Sequence, residues 1–166
     1  MASILPFNPI LANGGFETGA LFPWIAPEVT AVNVRTGEPA FAGDHYLEIQ
    51  TAPGNRANRV YQVLHSLDTT TNYTVTAKVW GPEISYSNTC SAYFSTSDNS
   101  TAGLSASISI PGSEASQWLS VEGQFQPHDH RDVLTIRAGC TLSGASHTAH
   151  LFFDQITLIP SPVLDE

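Results

Sequence analysis

Apolar side chains recur at every second position in a series of short segments, the period of half-buried β-strands. The alternation predicts strands at residues 31–34, 46–51, 59–64, 72–80, 90–96, 104–110, 118–126, 132–140 and 150–159. Turn signals separate them at Asn13-Gly14-Gly15, residues 37–43, Pro53-Gly54-Asn55, Gly81-Pro82 and Pro111-Gly112. Nine or ten short strands without an amphipathic helix predict an all-β chain, an antiparallel β-sandwich of the jelly-roll type. Residues 1–10 read as a lead-in, 11–159 as one domain and 160–166 as a tail that opens on Pro160-Ser161-Pro162.

The same alternation assigns side chains to faces. Tyr73, Val75, Ala77 and Val79 oppose Thr74, Thr76, Lys78 and Trp80. Cys90, Ala92 and Phe94 oppose Ser91, Tyr93 and Ser95, and Leu134, Ile136, Ala138 and Cys140 oppose Thr135, Arg137 and Gly139. Leu119, Val121 and Phe125 oppose Glu122 and Gln124; Val60, Gln62 and Leu64 are assigned inward, with Tyr61 and His65 outward. Collected as one open face, Tyr61, His65, Lys78, Trp80, Tyr93, Glu122, Gln124 and Arg137 suit a sugar. Pyranose C–H faces pack on aromatic rings, and their hydroxyls take directed hydrogen bonds from amides and charges.

On the last strand the alternation sets Phe152, Ile156 and Leu158 on one face together with Asp154. A carboxylate there needs a charge partner, hydrogen bonds or a metal. Two readings follow: a structural calcium ligand tied to the segment Asn13-Gly14-Gly15-Phe16-Glu17, or an aspartate at a strand edge bonded to loop amides.

Composition narrows the ligand classes. The formal net charge is −9, from fifteen acids against one lysine and five arginines. That field disfavours nucleic acid and anionic membranes and suits neutral ligands and divalent cations. No apolar run of about 18 residues could span a membrane as a helix. Cys90 and Cys140 both fall on apolar faces; they are either a disulfide or two buried thiols. Asn72-Tyr73-Thr74 and Asn99-Ser100-Thr101 match the N-glycosylation pattern at Asn72 and Asn99, and with a disulfide they point to a secreted glycoprotein. The start, Met1-Ala2-Ser3, has no charged and apolar leader, so a cytosolic location stays open beside secretion.

Several segments, in order, resemble the carbohydrate-binding modules of the family 4, 9 and 22 group, the CenC-like modules, in a version common in fungi. They are Asn13-Gly14-Gly15-Phe16-Glu17-Thr18-Gly19 with Pro23-Trp24, then residues 42–49, 60–64 and 72–75, Trp118 with Gly123-Gln124-Phe125, and residues 153–158. The resemblance implies a jelly roll with a structural Ca2+ near the chain ends. Carried over by position, Glu17 and Asp154 give side-chain oxygens. The turn Gly43-Asp44-His45 gives backbone oxygens, with Asp44's carboxylate as a further donor, the hard donor set that calcium takes. It also implies a glycan cleft on the concave sheet; a monomer is expected separately.

Other constellations carry less. His128-Asp129-His130 lacks a third ligand and reads as a solvated loop, and Trp24 and Trp118 read as core or loop anchors. No nucleophile-elbow or phosphate-loop motif occurs, and Glu122 has no second acid for glycoside hydrolysis. The first expectation is therefore a non-catalytic glycan-binding module. The alternatives are an isomerase or cyclase that closes the same face around a small molecule, with His65, Glu122 or Arg137 as acid–base groups, and a cell-wall or interaction protein without a sugar site.

Overall fold

The computed structural model describes residues 10–54, 56–81, 89–96, 105–111, 114, 116–141 and 147–161. Asn99, the lead-in residues 1–9 and the tail residues 162–166 lie outside the described residues. After a 3-10 turn, Val29–Ala31, the described residues form nine strands: β1 Val32–Thr36, β2 His45–Gln50, β3 Asn58–Leu64, β4 Tyr73–Trp80, β5 Thr89–Thr96, β6 Ser105–Pro111, β7 Trp118–Phe125, β8 Asp132–Thr141 and β9 His150–Pro160. Each lies within two residues of a segment whose alternation marks it. Among the described residues no helix is long and apolar enough to cross a membrane.

The strands form two antiparallel sheets, one ordered β1-β2-β9-β4-β7 and the other β3-β8-β5-β6. Consecutive strands from β2 to β5 alternate between sheets, which is the jelly-roll winding. One core fills the space between them. Leu47, Ile49, Val75, Val79, Leu151 and Phe153 come from the five-stranded sheet, and Val60, Leu64, Phe94, Leu134 and Ile136 from the four-stranded one. On β3, β4, β5 and β8 these are the positions that the period of two assigns inward; on β9 the inward Leu151 and Phe153 have the parity opposite to the one it assigns, which is that of Phe152.

Strand β9 departs from that period. Against β4, Thr157 faces Thr76 and Asp154 faces Lys78, so three steps on β9 match two on β4. This is a β-bulge, with Gln155 in the left-handed region at φ 48°. The extra residue switches the inward face from Leu151 and Phe153 to Ile156 and Leu158. Asp154 therefore does not share a face with Ile156 and Leu158, as simple alternation predicts. It lies outside the sheet, opposite Lys78.

The segment Asn13-Gly14-Gly15-Phe16-Glu17 packs across this bulge. The Ile156 N–H donates to the Gly14 carbonyl at 2.9 Å. A methyl on Gly14 would fall 1.8 Å from the Ile156 carbonyl oxygen, so the approach admits only glycine. Asn13 Nδ2 donates to the carbonyls of Ala20 and Phe22, and its own carbonyl accepts the Trp24 indole N–H. Phe16 is fully buried with its ring 6.1 Å from that of Trp24. Trp24 is thus a core anchor. Gln62 is buried and bonds both the N–H and the carbonyl of Ala12, fixing the lead into this segment.

Cys90 and Cys140 are bonded to each other. They are register partners on β5 and β8, so the bridge ties neighbouring strands of the four-stranded sheet on its core side. It closes a span of 50 residues, for which the chain-entropy model gives about 4 kcal/mol. The double substitution C90A/C140A is expected to cost about 3–4 kcal/mol, read as a lower denaturant midpoint at unchanged m-value. An equal midpoint for the wild type and the variant would show that the bridge adds nothing to the strand pairing.

Candidate functional site

The eight residues that alternation collects into one open face belong to two. Tyr61, Tyr93 and Arg137 stand on β3, β5 and β8 of the four-stranded sheet, with His65 one residue beyond β3. Lys78, Trp80, Glu122 and Gln124 stand on β4 and β7 of the five-stranded sheet. Both sets point outward, from opposite sides of the sandwich. Glu122 therefore cannot act together with His65 or Arg137.

The outer face of the five-stranded sheet is partly covered, and most of its described polar groups bond one another. The loop between β1 and β2 folds over it. Trp118 donates its indole N–H to the Pro39 carbonyl at 2.7 Å and stacks edge-on with both Phe41 and Trp80. Lys78 Nζ sits 4.7 Å from the centre of the Phe41 ring and donates to Ser120 Oγ. Farther along, Gln124 bonds Thr74, Thr74 bonds Ser161, and Thr76 bonds Thr157. On the β1–β2 side Glu48, largely buried, takes Arg35 Nε at 2.6 Å and faces His150 Nδ1 at 3.0 Å. Trp80, Trp118 and Lys78 thus serve the loop rather than an open platform.

Asp154 holds that loop down. Its Oδ2 accepts the N–H groups of Phe41 and Ala42 at 2.9 and 3.1 Å, and its Oδ1 accepts the Gln155 N–H. Desolvation raises its pKa, and the nearby Glu17 charge adds to the rise, against the lowering effect of the three amides. Glu17 is lowered by the backbone N–H groups of Asp44 and His45 that it accepts. The Gly43-Asp44-His45 turn therefore turns N–H groups, not carbonyl oxygens, toward Glu17. The Asp44 carbonyl instead accepts the Gly37 N–H at 2.8 Å. Gly43 has φ 69°, and a methyl there would meet the Glu17 carboxylate at 2.4 Å. Among the described residues no three His, Cys, Asp or Glu side chains form a metal-sized cluster. The loop-amide reading of Asp154 is thus realised. Even so, a buried carboxylate beside a second one fits a hard cation in charge and donor type.

Among the described residues no loop is seen bonded across the outer face of the four-stranded sheet, although Thr135 on it is buried. The sheet's register sets Arg59, Arg137, Tyr93 and Ser107 in one row across four strands. The next row holds Tyr61, Thr135 and Ser95, and a third holds Gly139, Ser91 and Ser109. Tyr93 is 48% exposed and Arg59 and Arg137 are exposed. At the β3 edge, Ile25 bridges to Tyr61 through two backbone hydrogen bonds. Beyond it, Pro27, Glu28, Thr30 and Ala31 form one wall of a groove of about 810 Å³, with Arg56, Arg59 and Arg137 on the other side. The sequence reading missed Arg59 and Arg56. Arg59 was within reach, because it shares the parity of Tyr61 on β3.

None of the characterised proteins compared with the chain matches it in sequence. Solved structures match in fold. TmCBM61, solved with β-1,4-galactotriose, is 20% identical with a TM-score of 0.69 over 92% of this chain and 99% of its own. The CBM22-1 xylan-binding domain of Paenibacillus barcinonensis Xyn10C is 17% identical, with a TM-score of 0.60 over 89% of this chain and 91% of its own. The arabinose-bound α-L-arabinofuranosidase MgGH51 is 16% identical, with a TM-score of 0.65; the match covers 90% of this chain and 26% of that enzyme. The family model of the CBM_4_9 carbohydrate binding domain matches residues 8–139. With most of its length inside that match, the chain belongs to the CBM_4_9 family of carbohydrate-binding domains.

Proposed function

We propose that the protein is a non-catalytic glycan-binding module whose ligand lies across the outer face of the four-stranded sheet. One contrast carries the reading. Most outward polar groups of the five-stranded sheet, Lys78, Gln124, Thr74, Thr76 and Glu48, have internal partners, Glu122 being exposed without one among the described residues, and part of the sheet lies under a loop. The four-stranded sheet leaves an exposed aromatic ring, Tyr93, beside guanidinium groups and a field of serines. Tyr93 offers a platform for a pyranose face. Arg137, Ser95, Ser107 and Ser109 offer donors to ring hydroxyls, and Tyr61 lies in the adjacent row. The ligands named for TmCBM61 and for the Xyn10C domain are oligosaccharide and xylan, which supports a β-linked glycan here. The disulfide and the exposed acceptor Asn72 support an extracellular setting.

Affinity electrophoresis through gels holding galactan, xylan or β-glucan tests the reading. Retardation is expected on at least one polymer. Replacing Tyr93 by Ala is expected to weaken it by about 2 kcal/mol, roughly thirtyfold, with the melting temperature nearly unchanged. Migration unaffected by every polymer would overturn glycan binding. Full retardation of the Tyr93 variant would move the site off this face.

The second part of the proposal is a structural calcium at Glu17 and Asp154, completed by backbone oxygens. The burial cost of Asp154 and the Glu17 charge beside it support the reading. When bound, the ion would neutralise the pair and pin the segment ending at Glu17 to β9. At about a hundred times its Kd a ligand adds about 2.7 kcal/mol, near 5–10 °C for a chain of this size. Calcium is therefore expected to raise the melting temperature by that amount over chelator at neutral pH, and D154N to abolish the gain. The pH dependence has a definite sign. The folded pKa of Asp154 is raised, so its own contribution to stability is present below the ordinary aspartate pKa and lost as pH rises through the raised value. The calcium increment runs the other way, fading as pH falls through that value because the proton competes for the carboxylate. Identical melting in calcium and chelator at neutral pH would rule the ion out.

A further inference from the structure

The groove at the β3 edge gathers three of the chain's six Lys and Arg residues, Arg56, Arg59 and Arg137, around a single acid, Glu28. The protein as a whole has a formal net charge of −9, so this concentration runs against its composition. Arg59 and Arg137 are moreover direct register partners on β3 and β8, both exposed on the same face. Like charges directly opposite across a strand pair are destabilising.

Arg35, by contrast, is paired with Glu48. Among the described residues neither Arg59 nor Arg137 makes a salt bridge, and Arg56 spends its Nε on the Pro53 carbonyl. Two adjacent guanidinium forks without an internal anion form a receptor for a planar, two-oxygen anion. The remaining acids act weakly there, because the Debye length at physiological salt is about 8 Å. Arg137 also neighbours Tyr93 across the β5–β8 pair, which puts the anion position next to the aromatic platform.

We propose that Arg59 and Arg137, with Arg56 at the groove wall, select glycans bearing a uronic acid carboxylate, so that the ligand is an acidic polysaccharide. This inference rests on the glycan-binding reading above and specifies the ligand of that same face. The sugar ring next to the uronate packs on Tyr93, and the carboxylate lies over the arginine pair. Serine hydroxyls on β5 and β6 meet the chain beyond it.

Paired polymers test the inference with the full chain. Polygalacturonate and glucuronoxylan are each compared with their carboxyl-reduced forms, with a sulfated galactan as a separate arm. Affinity electrophoresis and calorimetry read the binding. The charged form of at least one pair is expected to bind about tenfold or more tightly than its reduced form. That preference is expected to shrink as salt rises from about 20 to about 500 mM. In R59Q/R137Q the ratio between charged and reduced polymer is expected to fall to near one. Its melting temperature is expected to be no lower than that of the wild type, since a repulsive pair is removed. Should the double variant fail to fold, R137Q alone reads the same ratio.

Equal affinity for charged and reduced polymers overturns the uronate assignment while leaving glycan binding intact. Stronger retention on the sulfated galactan than on either uronate polymer also overturns it. So does a preference that survives in R59Q/R137Q. Binding to no polymer at all removes the glycan reading and this inference together.

Discussion

One buried carboxylate decides which side of this sandwich a loop covers. Asp154 stands on β9, which pairs with β2 on one side and β4 on the other. The bulge beside it turns the side chain out of the core, where it accepts the amides of Phe41 and Ala42. A buried acid left unbonded would be expensive, so the loop must come down over the sheet to supply those donors. Once there, the loop brings Phe41 onto Lys78 and Trp118, and the Pro39 carbonyl onto the Trp118 indole. The aromatic side chains on that face, Trp80, Trp118 and Phe41, are then occupied in holding the loop, which is why the proposed ligand face is the opposite one.

Glu17 extends the same constraint to the chain's beginning. Its carboxylate takes the amides of Asp44 and His45, at the far end of the loop that Asp154 holds. Two acids thus anchor one loop from two directions, and the approach of the segments involved depends on two glycines that a Cβ would displace. Gly14 meets β9 and Gly43 meets Glu17 itself. This gives the Asn13-Gly14-Gly15-Phe16-Glu17 segment a physical meaning position by position. Asn13 orders the following loop, Gly14 permits contact with the bulge, Phe16 fills the core and Glu17 caps the turn.

The strands and their inward residues were legible because alternation is a local property, and each strand carries its own copy of it. The partition of outward residues was not legible, because alternation cannot say which sheet a strand joins. Tyr93 and Trp80 look alike in sequence, each an aromatic on the polar side of a strand. The jelly-roll winding sends β4 to one sheet and β5 to the other. Asp154 fails for a different reason: a single added residue at Gln155 reverses parity partway along β9, and nothing in the residue types announces it. The disulfide, by contrast, follows from two inward cysteines once β5 and β8 are neighbours. Arg59 needed only its parity with Tyr61 to be counted.

The two sheets therefore divide the work, and the disulfide lies on the side that needs it. Among the described residues the face that carries Tyr93, Arg59 and Arg137 forgoes internal bonds that the other sheet makes. Its outward groups contribute little to holding β3, β8 and β5 in register, and the arginine pair on β3 and β8 opposes it. The Cys90–Cys140 bridge acts from beneath, on the two strands that carry Tyr93 and Arg137. Were a ligand to bind there as proposed, holding those strands together would lower the ordering cost, since a rigid platform has less freedom to lose. Covalent stiffening on the core side is thus the physical counterpart of unpaired chemistry on the outer side.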